Sequence, residues 1–182
     1  MRLGVMCSGN GSNFENIVRT CREDEVVVMV HNKEKCGAKK RAGKLGIPHC
    51  HIKSKDEDQI IQLMQAWRVD LIVLAGWMRI VSPKLINAFP NRIINLHPSL
   101  LPKYKGLHAI EQALNSGDDV TGVSVHYVNE ELDAGEIILQ EEVPILPDDS
   151  VESLTKVIQR KEYELLPRAI EYVKQRKPIN AN

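Results

Sequence analysis

In the segment Ile93-Ile94-Asn95-Leu96-His97-Pro98-Ser99, a carboxamide and an imidazole stand two residues apart inside an apolar run of strand length. Side chains alternate across a strand, so Asn95 and His97 project from one face while Ile94 and Leu96 face the other way. An Asn N–H and a His N–H on one face can both donate to an oxygen that gains negative charge as a carbonyl becomes tetrahedral. The imidazole can also move a proton, so the pair suits acyl chemistry. Pro98 ends the strand there, and the same residues also suit a turn-forming Asn beside an incidental His.

Three further segments bear on chemistry. Ser8-Gly9-Asn10-Gly11-Ser12-Asn13 stands between a strand pattern and a helix pattern. Glycines let backbone approach a ligand there, and the free N–H groups of a helix start favour an anion, above all phosphate. A tight turn without a ligand is the alternative. The G-x-G spacing does not extend to a dinucleotide fingerprint, because Phe14 holds the third glycine position and His31-Asn32-Lys33 offers no acid for a ribose. The acidic loop Asn129-Glu130-Glu131-Leu132-Asp133-Ala134-Gly135 suits a solvated turn. It also offers Asp133, next to two small residues, as a carboxylate that would orient His97 or favour its charged form. Finally, Leu74 to Pro83 leaves an apolar strand with Trp77, Met78, Arg79, Ile80 and Val81, a pattern for a flat heteroaromatic pocket or for ordinary packing.

These residues need a frame to hold them. Apolar runs of strand length at Arg2 to Cys7, Val26 to His31, His49 to Ile52, Leu71 to Ala75, Arg92 to His97, Thr121 to Val128 and Glu136 to Val143 predict about seven strands. Amphipathic stretches at Asn13 to Cys21, Cys36 to Leu45, Asp56 to Trp67, Pro83 to Phe89 and His108 to Asn115 predict the helices between them. The alternation predicts an α/β fold with a mostly parallel sheet and helices on both faces. The last two strands should pair antiparallel, since no crossover helix fits between them. Ser82-Pro83 is a helix start, and Asp149 with Glu152 forms a capping-box pattern for a long last helix, Ser150 to about Gln175, which Pro167 should kink or split.

Composition sets the outer limits. A chain of 182 residues with 43% hydrophobic and 26% charged residues predicts one domain with a real core. Lys plus Arg and Asp plus Glu are 24 each, so no global field recruits nucleic acid or a membrane surface. The longest nearly uncharged run, Leu71 to Met78, is far short of the ~20 residues of a membrane span. The start does not read as a signal peptide, and the expected location is cytoplasmic. The four cysteines, Cys7, Cys21, Cys36 and Cys50, form no C-x-x-C, and His49-Cys50-His51 alternates faces, so no metal is expected.

Taken together, Ser8–Asn13, Leu74–Pro83, Asn95–Tyr104, Gly122-Val123-Ser124-Val125-His126 and Glu131–Gly135 resemble the folate-dependent glycinamide ribonucleotide formyltransferase family, over nearly the whole chain. The resemblance implies a Rossmann-like formyltransferase fold in a single domain over 1–182. It implies a nucleotide-phosphate half at about 1–100 and a folate-binding and catalytic half at about 74–182. It implies Asn95, His97 and Asp133 as catalytic residues and Gly11, Ser12, Asn13, Pro98 and Glu162 as ribonucleotide contacts. Met78, Arg79, Ile80, Val81, Val128, Asn129 and Glu130, together with Asn95 and Asp133, are implied as folate contacts, with Lys53 or Lys55 standing in for a basic residue that meets the folate tail. The implied reaction moves the formyl group of 10-formyltetrahydrofolate, the cosubstrate, to the amine of glycinamide ribonucleotide in purine biosynthesis. It needs no metal, and its partners are small molecules, with the protein a monomer or homodimer. By the same resemblance, methionyl-tRNA formyltransferase and formyltetrahydrofolate deformylase share the Asn/His/Asp set, but each of those families carries a further domain, and a single domain is the expectation here. A deformylase-like hydrolase and a non-catalytic phosphometabolite-binding protein are the alternative readings.

Overall fold

A computed structural model describes residues 1–176; positions 177–182 of the domain expected over 1–182 lie outside the described residues. The strands are β1 (Arg2–Cys7), β2 (Glu25–His31), β3 (His49–His51), β4 (Leu71–Leu74), β5 (Ile93–His97), β6 (Val120–Tyr127) and β7 (Ile137–Pro144). The helices are α1 (Ser12–Thr20), α2 (Gly37–Leu45), α3 (Glu57–Ala66), α4 (Pro83–Ala88), α5 (Ala109–Ser116) and α6 (Val151–Arg176). They form the predicted seven-stranded sheet, of order β3-β2-β1-β4-β5-β6-β7. Its first five strands follow the Rossmann-like order 3-2-1-4-5, with parallel pairing, and β6 and β7 are antiparallel. No helix among the described residues is long and apolar enough to cross a membrane.

The chain divides into two compact units. The first comprises Met1–Asn95 with Tyr127–Glu130. Apart from the short edge strand β3, its strands are buried on both faces, so Val26-Val27-Val28-Met29-Val30 needs no polar alternation. Met6, Ile60, Met64, Ile72, Leu85, Phe89 and Ile93 form its core. Ser82 caps α4 as predicted: its Oγ accepts from the Lys84 N–H, and Pro83 takes the first helical position. Glu57 Oε2 accepts from the Ser82 N–H at 3.0 Å and Glu57 Oε1 from the Ser82 hydroxyl, which ties the start of α4 to that of α3.

The second unit, Leu96–His126 with Glu131 onward, packs α6 on β7 and α5 on α6. Two expectations are narrowed here. Of a kink or a split at Pro167, the split does not occur, since α6 runs unbroken from Val151 to Arg176. A helix-interior proline costs roughly 3 kcal/mol, but Leu165, Leu166, Ala169 and Ile170 on either side are fully buried, and this packing outweighs the lost backbone bond. The cap of α6 also sits one residue later than the Asp149–Glu152 pattern. Ser150 Oγ accepts from the Ser153 N–H at 3.1 Å, and Ser153 Oγ accepts from the Ser150 N–H at 2.9 Å. The reciprocal pair is thus Ser–Ser, because hydroxyls accept as a carboxylate does. Asp149 instead accepts from Leu146 N–H and from the Ser153 hydroxyl.

Candidate functional site

His97 is the last residue of β5, two positions after half-buried Asn95, and Pro98 breaks the strand beyond it. The His97 ring is buried and held on both sides within the second unit. Its Nε2 lies 2.8 Å from the Tyr104 carbonyl, and its Nδ1 lies 3.5 Å from Asp133 Oδ2. Both oxygens can only accept, so a ring carrying a proton on each nitrogen satisfies both contacts. Asp133 is 8% exposed, and its Oδ2 also accepts from the Gly106 N–H at 2.8 Å. Its other oxygen, Oδ1, faces Nε2 of a second buried histidine, His126, at 3.7 Å. Burial pushes the Asp133 carboxyl up. His126, the Gly106 N–H and the charge of His97 together outweigh it, so the group sits below the ordinary carboxylate range.

The backbone around this carboxylate is unusual for good reason. Asp133 has φ 49, a left-handed conformation that short polar residues tolerate best. The loop after His97 is anchored on β6 through Ser124, whose Oγ donates to the Ser99 carbonyl at 2.6 Å and accepts from the Leu101 N–H at 3.1 Å. Gly122 lets that loop come close: a Cβ there would lie 2.1 Å from the Glu141 carbonyl and 2.5 Å from Leu100 Cδ2. Tyr104 hydrogen-bonds Asp118, which also meets Lys103 Nζ at 3.0 Å, so the middle of the loop is tied as well.

In the first unit the glycine segment is the turn from β1 into α1, as its sequence predicts. Gly11 caps α1 at φ 77 and sits against α2, where a Cβ would lie 2.6 Å from the Ala38 Cα. It is therefore a packing residue as well as a turn residue. Ser12 and Asn13 open the helix, with their N–H groups in its first turn. Ser8 Oγ accepts from the Met78 N–H at 2.9 Å, so the turn is tied to the segment after β4. That segment divides by depth. Met78, Arg79 and Ile80 are exposed, Val81 is buried, and Trp77 is buried in the core beside Val81 and Leu85. Of the two readings of this segment, flat pocket wall or ordinary packing, Trp77 takes the second, since it belongs to the buried core cluster.

Met78 and Arg79 also line a cavity of about 390 Å³ with Asn32, Lys33, Lys53 and Lys55. Four cations converge on it, Lys53 and Lys55 being the two that the sequence suggests for the folate tail. Lys33 is an addition that its distance in sequence conceals. A second group that the sequence hides is built from neighbouring strands: His31 of β2 joins His49 and His51 of β3. His31 Nδ1 lies 2.7 Å from the Lys33 carbonyl, and its Nε2 lies 3.4 Å from His49 Nδ1. Burial holds His31 below the ordinary histidine range; the Lys33 bond opposes this, and the nearby His49, His51 and Lys39 charges add to it. Among the described residues, no group of His, Cys, Asp and Glu is arranged to hold a metal ion.

Elsewhere, Val128 donates its N–H to the Ile93 carbonyl at 2.9 Å, with Asn129 and Glu130 exposed beyond it. Pro98 is half-buried, and Glu162 is half-buried on α6. Next to Glu162, Lys161 pairs with Glu141 of β7 at 3.2 Å. The residues missed by sequence reasoning are His126, Gly106 and Tyr104. Tyr104 and His126 left a signal only as the ends of the segments Asn95 to Tyr104 and Gly122 to His126, and Gly106 left none.

Residues 1–170 match the family model described as formyl transferase. The chain is 37% identical over 182 residues to phosphoribosylglycinamide formyltransferase of Haemophilus influenzae, covering 94% of this chain and 86% of that protein. It is 41% identical over 182 residues to the trifunctional purine biosynthetic protein adenosine-3 of Drosophila melanogaster, covering 93% of this chain but spanning only 14% of that longer protein. Among solved structures it is similar to phosphoribosylglycinamide formyltransferase from Bacillus halodurans, with TM-score 0.90 and 38% identity over 98% of this chain and 96% of that one.

Proposed function

The chain belongs to the formyl transferase family, and from that premise we propose that it moves the formyl group of 10-formyltetrahydrofolate to the amine of glycinamide ribonucleotide. The observation that carries this reading is the buried His97 ring, contacted by an acceptor at each nitrogen at the end of the strand that also bears Asn95. The neutral amine of the ribonucleotide attacks the formyl carbon. As the carbonyl becomes tetrahedral, the Asn95 amide and the His97 Nε2–H donate to its oxygen. The Tyr104 carbonyl already fixes that proton on Nε2, so the donor is preset and passes from Tyr104 to the oxyanion. Asp133 holds the opposite nitrogen and takes up, through water, the proton that the attacking amine sheds. The C–N bond to the folate then breaks, and its leaving nitrogen is protonated.

Gly11, Ser12 and Asn13 suit the phosphate of the ribonucleotide, since they open a helix from a glycine turn. Glu162 and Pro98 are assigned to its ribose and amine end. Met78, Arg79, Ile80, Val81, Val128, Asn129 and Glu130 are assigned to the folate, and the cavity of Lys33, Lys53, Lys55 and Arg79 suits the carboxylates of its tail. The test is an absorbance assay of folate deformylation with and without glycinamide ribonucleotide. Turnover is expected only with the acceptor present. Equal deformylation in its absence would instead make the protein a hydrolase.

A further inference from the structure

We propose that His126 is a positioning residue for this reaction, holding one oxygen of Asp133 so that the other stays on His97. The inference rests on the reading of Asp133 and His97 given above. A carboxylate bound only through Oδ2, by the Gly106 N–H at 2.8 Å and His97 at 3.5 Å, is free to rotate about its Cβ–Cγ bond and exchange oxygens. His126 Nε2 faces Oδ1 at 3.7 Å and removes that freedom. Both side chains are buried, at 2% and 7% exposure, so water does not screen the contact.

The strand that carries His126 is shaped for the task. The β6–β7 register shifts between Val125 and His126, an irregularity of the kind that re-aims a side chain. Upstream on the same strand, Gly122 admits Leu100 and Ser124 binds the Ser99 carbonyl and the Leu101 N–H. The strand thus steadies both partners of the pair, His97 through the loop that follows it and Asp133 through His126. The groups acting on the Asp133 carboxylate are His126 from β6, His97 from β5 and the Gly106 N–H from the loop between β5 and α5. Each favours the ionised form, so loss of the His126 contact raises the pH at which Asp133 takes up a proton.

Two variants test this. His126→Gln keeps an N–H at about the reach of Nε2, whereas His126→Asn is too short. For His126→Asn we expect kcat to fall roughly tenfold, less than the ~10²–10⁴ of a group that itself moves a proton, with KM for both substrates within about twofold. The acid limb of its kcat profile should move to higher pH, and His126→Gln should recover most of both changes. A carbon-13 NMR titration of the Asp133 carboxyl reads the contact without turnover and should shift upward in His126→Asn. An unchanged titration and pH profile in His126→Asn, or equal loss in both variants with no shift, would overturn the proposal. Full activity in Asp133→Asn would overturn the underlying reading instead, and the NMR titration separates the two failures.

Discussion

Asp133 is buried and met by two histidines and a backbone N–H, whereas Lys33, Lys53, Lys55 and Arg79 stand exposed around a cavity of about 390 Å³. The first arrangement concentrates charge interaction in one carboxylate away from solvent, where each partner acts at low dielectric. The second spreads it over four flexible side chains in water, where each contributes little and salt screens it. A change at the buried carboxylate should therefore be large and specific, and a change at the cations small and additive.

The largest effect is expected at Asp133 itself. Asp133→Asn keeps the shape, and Asn is among the residues that best tolerate φ 49, so the backbone is retained while the charge is lost. We expect kcat to fall by about a hundredfold or more with both substrates still bound, measured by steady-state kinetics. Activity within threefold of wild type would erase the contrast between the two regions. The carboxyl lies below its ordinary range when folded, so its contribution to stability is fully present above the unfolded value of about 3.9 and is lost as pH falls through the folded value. Denaturant unfolding of wild type and Asp133→Asn should accordingly converge as the pH drops below about 4.

A second contrast lies in the backbone. Gly122→Ala places a methyl 2.1 Å from the Glu141 carbonyl oxygen, in the strand that supports the His97 loop. Gly43→Ala, inside α2, meets nothing within 4 Å. Urea unfolding should show Gly122→Ala destabilised by roughly 1–3 kcal/mol and Gly43→Ala stabilised by about 0.5–1 kcal/mol. A neutral Gly122→Ala would mean that the loop does not depend on close approach to β6.

The order of the elements was readable because its signals are local. The unbroken run Val26 to Val30, the Ser82-Pro83 start and the glycine turn before α1 each act over a few residues. The split expected at Pro167 does not occur because the proline's cost is local while the packing of Leu165, Leu166, Ala169 and Ile170 that overrides it is tertiary. The site divides along the same line. Asn95 and His97 share a strand face by simple alternation, but the approach of Asp133 to His97, 36 positions away in sequence, rests on a loop whose geometry no periodicity encodes. His126 and the Tyr104 carbonyl stayed hidden for that reason. Trp77 stayed open between pocket wall and packing because an aromatic ring at a strand end looks the same in sequence whether it faces ligand or core.

The smallest effect is expected at the cationic cavity. Lys53 and Lys55 are exposed, and each is one of four like charges, so removing one leaves three to meet an anionic tail. Exposed ion pairs are worth about 0.2–1 kcal/mol. Lys53→Ala and Lys55→Ala should therefore each raise KM for a folate cosubstrate with several tail carboxylates by only about two- to fivefold, with kcat unchanged, since the tail is bound alike in ground and transition states. The double variant should show nearly the product of the two, because the side chains act through solvent rather than through each other. Raising ionic strength from 0.01 to 1 M shortens the Debye length from about 30 to 3 Å and should remove most of the difference from wild type. A salt-independent loss, or one that lowers kcat, would mean that these lysines hold the reacting end of the cosubstrate, and the division between a buried, specific region and a diffuse, screened one would fail.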